Sequence, residues 1–246
     1  MAVIARSRRT LSTTGAIAAV IVATACTAAG WSWAWMLIAF FASSTLLSKV
    51  GEPRKSALTG DIVEKGGERD AWQVVANGGV FAAAAILSIA LPSTLWLAAG
   101  AGAIGTAIAD TWATEIGTLS DHDPKSILSG KSVPPGTSGG VTLSGFLGGI
   151  AGALSMALIA IAFAWPGSVA VAAIIGGISG MLIDSLLGAT VQQTRWCDYC
   201  GRGTERAVHS CGTVTVHSGG IRWMSNDVVN LASSIGGALV GILWLR

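Results

Sequence analysis

Apolar residues along this chain come in long runs, and polar residues come in short interruptions between them. Seven runs, at about 11–29, 32–48, 72–91, 94–116, 140–164, 168–192 and 227–245, match the roughly 20 apolar residues a helix needs to cross a bilayer. The pattern predicts an all-α polytopic membrane bundle of about seven transmembrane helices. It forms one domain over residues 1–246, with a Cys/His-containing loop at 193–225.

Composition supports that class. The chain is 52% hydrophobic and 11% charged, less than half the roughly 25% charge of a soluble domain. That excludes an ordinary soluble globule and a basic nucleic-acid-binding domain. Membrane lipids are the expected surroundings, and no nucleic acid is expected as a partner.

The basic residues then set an orientation. Arg6, Arg8 and Arg9 precede the first run; Lys49, Arg54, Lys55, Lys65 and Arg69 follow the second. Lys125 and Lys131 follow the fourth, and Arg195, Arg202, Arg206 and Arg222 follow the sixth. With seven alternating helices, every basic residue but Arg246 falls on one side, which the positive-inside rule makes cytoplasmic. Trp31, Trp96 and Trp165 near the outer ends, and Trp72, Trp112 and Trp223 near the inner ends, fit two aromatic belts. The first thirty residues also read as a signal peptide. Removing them would leave six helices and put the charged loops on the wrong face, so a retained first helix is expected.

Charged residues inside spanning helices mark functional sites by default. Asp110 follows Thr106 and Gly102 at four-residue spacing, and Asp184 lies on the stripe Gly176, Gly180, Asp184, Gly188, Gln192. Residues four apart share a helix face, and small residues there allow close packing. Asp227, Asn226 and Asn230 open the last helix; Asp70, Gln73 and Asn77 open the third. These amides read equally as helix caps or interhelical hydrogen bonds. Three carboxylates without basic helical partners, Asp110, Asp184 and Asp227, point instead to a bound cation. Glu115, five residues after Asp110, lies about 140° round an ideal helix and joins them only if the helix end unwinds.

Between the fourth and fifth runs, Gly136, Thr137, Ser138, Gly139 and Gly140 lead into a helix N-terminus, with Lys131 just upstream. Such a turn reads as a simple helix cap or as an anion cradle. Beside the carboxylates, phosphate is the expected anion. Cys197, Cys200, His209 and Cys211 supply four zinc-type ligands in a loop where a disulfide is disfavoured. A structural Zn²⁺ site is expected over free thiols.

Several segments together resemble a known family. They are Gly66 to Gly78, Ala109 to Gly117, Pro134 to Gly145, Asp184-Ser-Leu-Leu-Gly-Ala-Thr190, the Cys/His knuckle, and Asn226-Asp-Val-Val-Asn230. In this order they resemble the integral membrane phytyl-phosphate kinase family. The resemblance implies transfer of a phosphoryl group from CTP, or another nucleoside triphosphate, to an isoprenyl monophosphate. It implies Mg²⁺ at Asp110, Asp184 and Asp227, and phosphate contacts from the glycine-rich loop with Lys131 and Arg69. Glu115, Asn77, Ser185, Gln192, Asn226 and Asn230 complete the implied catalytic and nucleotide-binding set. An ion-coupled transporter and a membrane cytidylyltransferase are the rival readings.

Overall fold

The computed structural model describes residues 10–64 and 67–246. Arg6, Arg8, Arg9, Lys65 and Gly66, used in the sequence reading, lie outside the described residues. Seven long helices fall within a few residues of the seven apolar runs. They are α1 (Thr13–Ala29), α2 (Trp31–Lys49), α4 (Ala71–Ala90), α5 (Thr94–Gly117), α6 (Leu143–Ala162), α7 (Gly167–Thr190) and α8 (Asn226–Trp244). A short α3 (Glu52–Thr59) follows α2. Its signals were plain: Glu52 in the first turn and a proline at the start, both favoured at a helix N-terminus.

Helix starts follow side-chain chemistry. Ser12, Ser93 and Thr142 accept backbone N–H bonds as N-caps of α1, α5 and α6. Asp70 and Gln73 form a reciprocal capping box at α4.

Five helices, α2, α4, α6, α7 and α8, are long and apolar enough to cross a membrane. The other two long helices differ for physical reasons. At 17 residues α1 is a turn short of a typical span. The 24-residue α5 carries Asp110 and Glu115 and is built from Ala and Gly. It needs little greasiness of its own because α2, α4, α6, α7 and α8 surround it, and every residue from Ala98 to Ala109 is buried. The outer helices turn apolar side chains outward: Ile21, Leu158 and Leu243 are 65%, 66% and 65% exposed, a surface suited to lipid rather than water.

Small residues let α5, α7 and α8 approach closely. A Cβ on Gly180 would sit 2.0 Å from Thr106 Oγ1, and one on Gly102 would sit 2.2 Å from the Gly237 carbonyl oxygen. The Thr106 hydroxyl donates to the carbonyls of Gly102 (2.9 Å) and Gly176 (3.2 Å), tying α5 to α7 where no water is available.

The polar loops gather at one end of the bundle. One holds the two-residue strands β1 (Lys125–Ser126) and β2 (Gly140–Val141), paired antiparallel. The Cys/His loop forms a three-stranded antiparallel sheet, β3 (Thr194–Cys197), β4 (Arg202–Thr204) and β5 (Val216–Gly219), in the order β4-β3-β5. This sheet docks on the turn after α3. Thr204 Oγ1 donates to the Asp61 carbonyl at 2.7 Å, Arg206 to the Gly60 carbonyl at 2.9 Å, and Ser210 Oγ to Asp61 Oδ1 at 2.5 Å.

Candidate functional site

A cavity of about 990 Å³ opens where these loops meet the ends of α5, α7 and α8. Its walls carry Asp110, Glu115, Asp184 and Asp227, the loop Gly136 to Gly140, and Arg69, Ser185, Gln192 and Asn226. Lys131, Asn77 and Asn230 do not line it. Lys131 is exposed. Asn77 donates to the Gln73 carbonyl of its own helix at 2.9 Å, the bond expected of a helix-stabilising amide. These three residues stand apart from the site the sequence pattern assigned to them.

The acidic part of the cavity follows from helix periodicity. Thr106 meets Gly180, and one turn further along each helix come Asp110 and Asp184. The two carboxylates lie within electrostatic reach of each other. Ser233 Oγ of α8 donates to Asp184 Oδ2 at 3.0 Å. No Lys or Arg is paired with either aspartate among the described residues. Asp227, 7% exposed, lines the same cavity. It lies six residues from Ser233, about 9 Å along the helix, and so sits at a different depth from Asp184. The carboxylates of Asp110 and Asp184, neither paired with a Lys or Arg among the described residues, suit Mg²⁺.

Glu115 is placed differently. The α5 helix runs unbroken to Gly117, so its end does not unwind toward Asp110. Glu115 Oε2 instead accepts from Lys55 Nζ of α3 at 2.5 Å, and Lys55 also donates to the Leu47 carbonyl at 2.7 Å.

The glycine-rich loop bends at Gly136 and Gly139, both with positive φ. At Gly139 a Cβ would sit 2.4 Å from Ala189 Cβ, so only glycine lets the loop lie this close to α7. The amides of Thr137 and Gly140 are satisfied within the loop. Those of Ser138 and Gly139 have no protein acceptor among the described residues, and both residues line the cavity. Two free amides beside a helix N-terminus make a place for an anion.

One residue beside the glycine-rich loop had no sequence signal. Glu205, in the Cys/His loop, reaches into the cavity. Its carboxylate accepts from Ser138 Oγ and, at 2.7 Å, from Gln192 Nε2. It is also within electrostatic reach of Asp184. Burial pushes its carboxyl above the ordinary carboxylate range, against the Ser138 bond. It sits in a strand-and-turn segment without helical spacing, so no period pointed to it.

The knuckle itself is compact. The ligand atoms of Cys197, Cys200, His209 and Cys211 all lie within 4.8 Å of one another. The Cys197 and Cys211 sulfurs are 3.7 Å apart, against about 3.8 Å for two thiolates on one tetrahedral zinc at 2.3 Å. His209 Nδ1 is 3.3 Å from Cys211 Sγ, and its buried Nε2 has no hydrogen-bond partner among the described residues. Hydrogen bonds from Thr213, then His209, pull the Cys211 thiol down to about 6, while its bond to Cys211 pushes Cys200 up to about 11. The donor set fits Zn²⁺.

Known proteins give this geometry relatives. The chain is 32% identical to Protein PGR of Arabidopsis thaliana over 254 residues, covering 92% of this chain and 86% of that protein. It is 28% identical to an uncharacterized membrane protein of Methanocaldococcus jannaschii, covering 87% of this chain and 76% of the relative. It is 27% identical to an uncharacterized membrane protein of Synechocystis, covering 87% and 74%. No solved structure matches it. The family model described as integral membrane protein DUF92 matches residues 1–238, in accord with the resemblance carried by the motifs. The chain belongs to the DUF92 family of integral membrane proteins.

Proposed function

We propose that this protein is a membrane kinase that transfers a phosphoryl group from CTP to an isoprenyl monophosphate, yielding CDP and the isoprenyl diphosphate. The observation that carries this reading is one cavity holding both an unpaired carboxylate pair, Asp110 and Asp184, and a glycine-rich loop with free amides at Ser138 and Gly139. Phosphoryl transfer needs cation and phosphate held side by side. The preference for CTP and for an isoprenyl acceptor rests on the motif resemblance.

Asp110 and Asp184, in a cavity that Asp227 and Glu205 also line, would hold Mg²⁺, which neutralises charge on the transferring phosphates. Ser138 and Gly139 orient the nucleotide's phosphates through their amides. The acceptor phosphate is already an anionic nucleophile, so no side chain need remove a proton. The excess of basic residues in the loops at this end supports a site facing the cytoplasm. A transporter reading is less well supported. Beyond the cavity floor α5 is buried from Ala98 to Ala109, where Gly102 and Thr106 close against α7 and α8.

Product analysis tests the proposal. Purified protein given Mg²⁺, labelled CTP and phytyl monophosphate is expected to release CDP and phytyl diphosphate. Pyrophosphate release would make it a cytidylyltransferase, and no reaction across nucleotides and prenyl phosphates would remove the kinase reading.

A further inference from the structure

The cavity has a second charged region that the acidic pair does not explain. On α5, Glu115 lies about 140° round and 7.5 Å along from Asp110, facing a different side. Lys55, 8% exposed, closes on Glu115. Arg69, on the segment entering α4, feels the same Glu115 charge. Its guanidinium makes one long hydrogen bond, 3.5 Å to Thr45 Oγ1, and lies 5.6 Å over the Phe41 ring. A guanidinium has five N–H donors and an ammonium three. Arg69 therefore carries most of its donors unspent in a poorly solvated place, and Lys55 keeps one spare. Lys55 and Arg69 thus stand near the same Glu115, while Glu52, Glu64 and Glu68, which also line the cavity, are exposed.

Resting on the kinase reading above, we propose that Lys55 and Arg69 form the subsite for the acceptor, a phosphomonoester bearing an apolar tail. Two buried or half-buried cations with unspent donors suit a phosphate dianion, which a guanidinium fork and an ammonium grip well. The surroundings select the acceptor over the nucleotide. Thr45, Phe41 and Leu47 belong to the inner half of α2, an outer helix whose Leu46 is 67% exposed toward lipid. A phosphate held here leaves its tail beside α2, in the membrane. The glycine-rich loop, by contrast, is covered by the polar knuckle through Glu205. Glu115 is then the counter-ion that holds the two cations in place until the acceptor arrives, rather than a metal ligand.

The test uses the full chain in lipid nanodiscs, with phytyl monophosphate as acceptor and Mg²⁺–β,γ-methylene-CTP as the nucleotide probe. Lys55→Gln and Arg69→Gln are each expected to raise the acceptor KM about tenfold or more, the scale of a lost charge-assisted bond. Nucleotide Kd should stay within about twofold. Glu115→Gln should lower the acceptor KM, because it removes the competing carboxylate; a metal ligand would instead show a raised Mg²⁺ requirement. Unchanged acceptor KM in both cation variants, or an equal loss of nucleotide affinity, would overturn the subsite. Should Lys55→Gln and Arg69→Gln not fold, Glu115→Gln decides alone, and weaker acceptor binding refutes the proposal. Phytyl monophosphate binding that depends on Lys55 and Arg69, in a protein that turns over no nucleotide, would leave the subsite standing and remove the kinase reading. Inorganic phosphate binding as tightly as phytyl monophosphate would refute the role of the tail.

Discussion

Glu205 accepts a hydrogen bond from the Ser138 hydroxyl, so the Cys/His knuckle and the glycine-rich loop are joined inside the cavity. Gln192 at the end of α7 bonds the same oxygen. A residue of the knuckle thus positions the loop whose amides face the proposed nucleotide. Glu205→Ala should weaken nucleotide binding about fivefold to tenfold, the worth of roughly one hydrogen bond, with Glu205→Gln retaining an acceptor oxygen and losing less. Equal nucleotide Kd in wild type and Glu205→Ala would show that the link is incidental.

Burial raises the Glu205 pKa, which has a consequence for stability. The folded state then holds this proton more tightly than the unfolded chain, so the contribution of Glu205 to stability falls as pH rises past the ordinary carboxylate range. Without divalent cation, Glu205→Gln should raise Tm relative to wild type more at pH 7.5 than at pH 5. Thermal unfolding at the two pH values checks this, and a pH-independent difference would contradict it.

Zinc at Cys197, Cys200, His209 and Cys211 would fix the fold of the sheet that carries Glu205. One zinc per chain is expected by elemental analysis of protein purified without chelator. Chelation should expose the 193–225 loop to proteolysis while the helices persist, because the binding energy of a structural zinc is folding energy for the segment it closes. Zinc-free protein with an equally resistant loop would refute the assignment.

The seam between α5 and α7 sets the spacing of the aspartates. Gly180→Val would drive a side chain into Thr106, and overpacking of this kind costs about 1–3 kcal/mol. A lowered melting temperature in detergent, together with loss of Mg²⁺ response, is the expected outcome. Gly167→Ala, where nothing lies within 4 Å of the added carbon, should leave both unchanged.

The proposed orientation rests on charge and is open to direct labelling. A cysteine at Gly60 should be protected from a membrane-impermeant reagent added outside intact cells, and one at Ser93 should be labelled. The reverse pattern would invert the topology.

What the sequence disclosed divides along physical lines. Helix positions were legible because lipid-facing and core-facing residues are both apolar, which leaves the runs unbroken. The meeting of Asp110 with Asp184 was legible because each follows a small-residue stripe at four-residue spacing, and those stripes pack together. Asp227 was legible as a site residue but not in depth, because the register of α8 is set by Ser233 against Asp184. Lys55 and Glu205 were missed because each reaches the cavity from a loop-borne element with no period linking it to its partner. Lys131, close in sequence to the glycine-rich loop, is exposed and does not line the cavity. Proximity along the chain was a poor guide there.

The most direct test of the central claim is turnover of labelled CTP by wild type, Asp110→Asn and Asp184→Asn, each shown to be folded. Wild type should transfer the γ-phosphoryl to phytyl monophosphate only with Mg²⁺, and each variant should lose roughly a hundredfold or more in turnover, the scale of one lost electrostatic contact in a transition state. Near-normal, Mg²⁺-dependent transfer in both variants would show that these aspartates are packing residues and that the cavity is not the site of the chemistry.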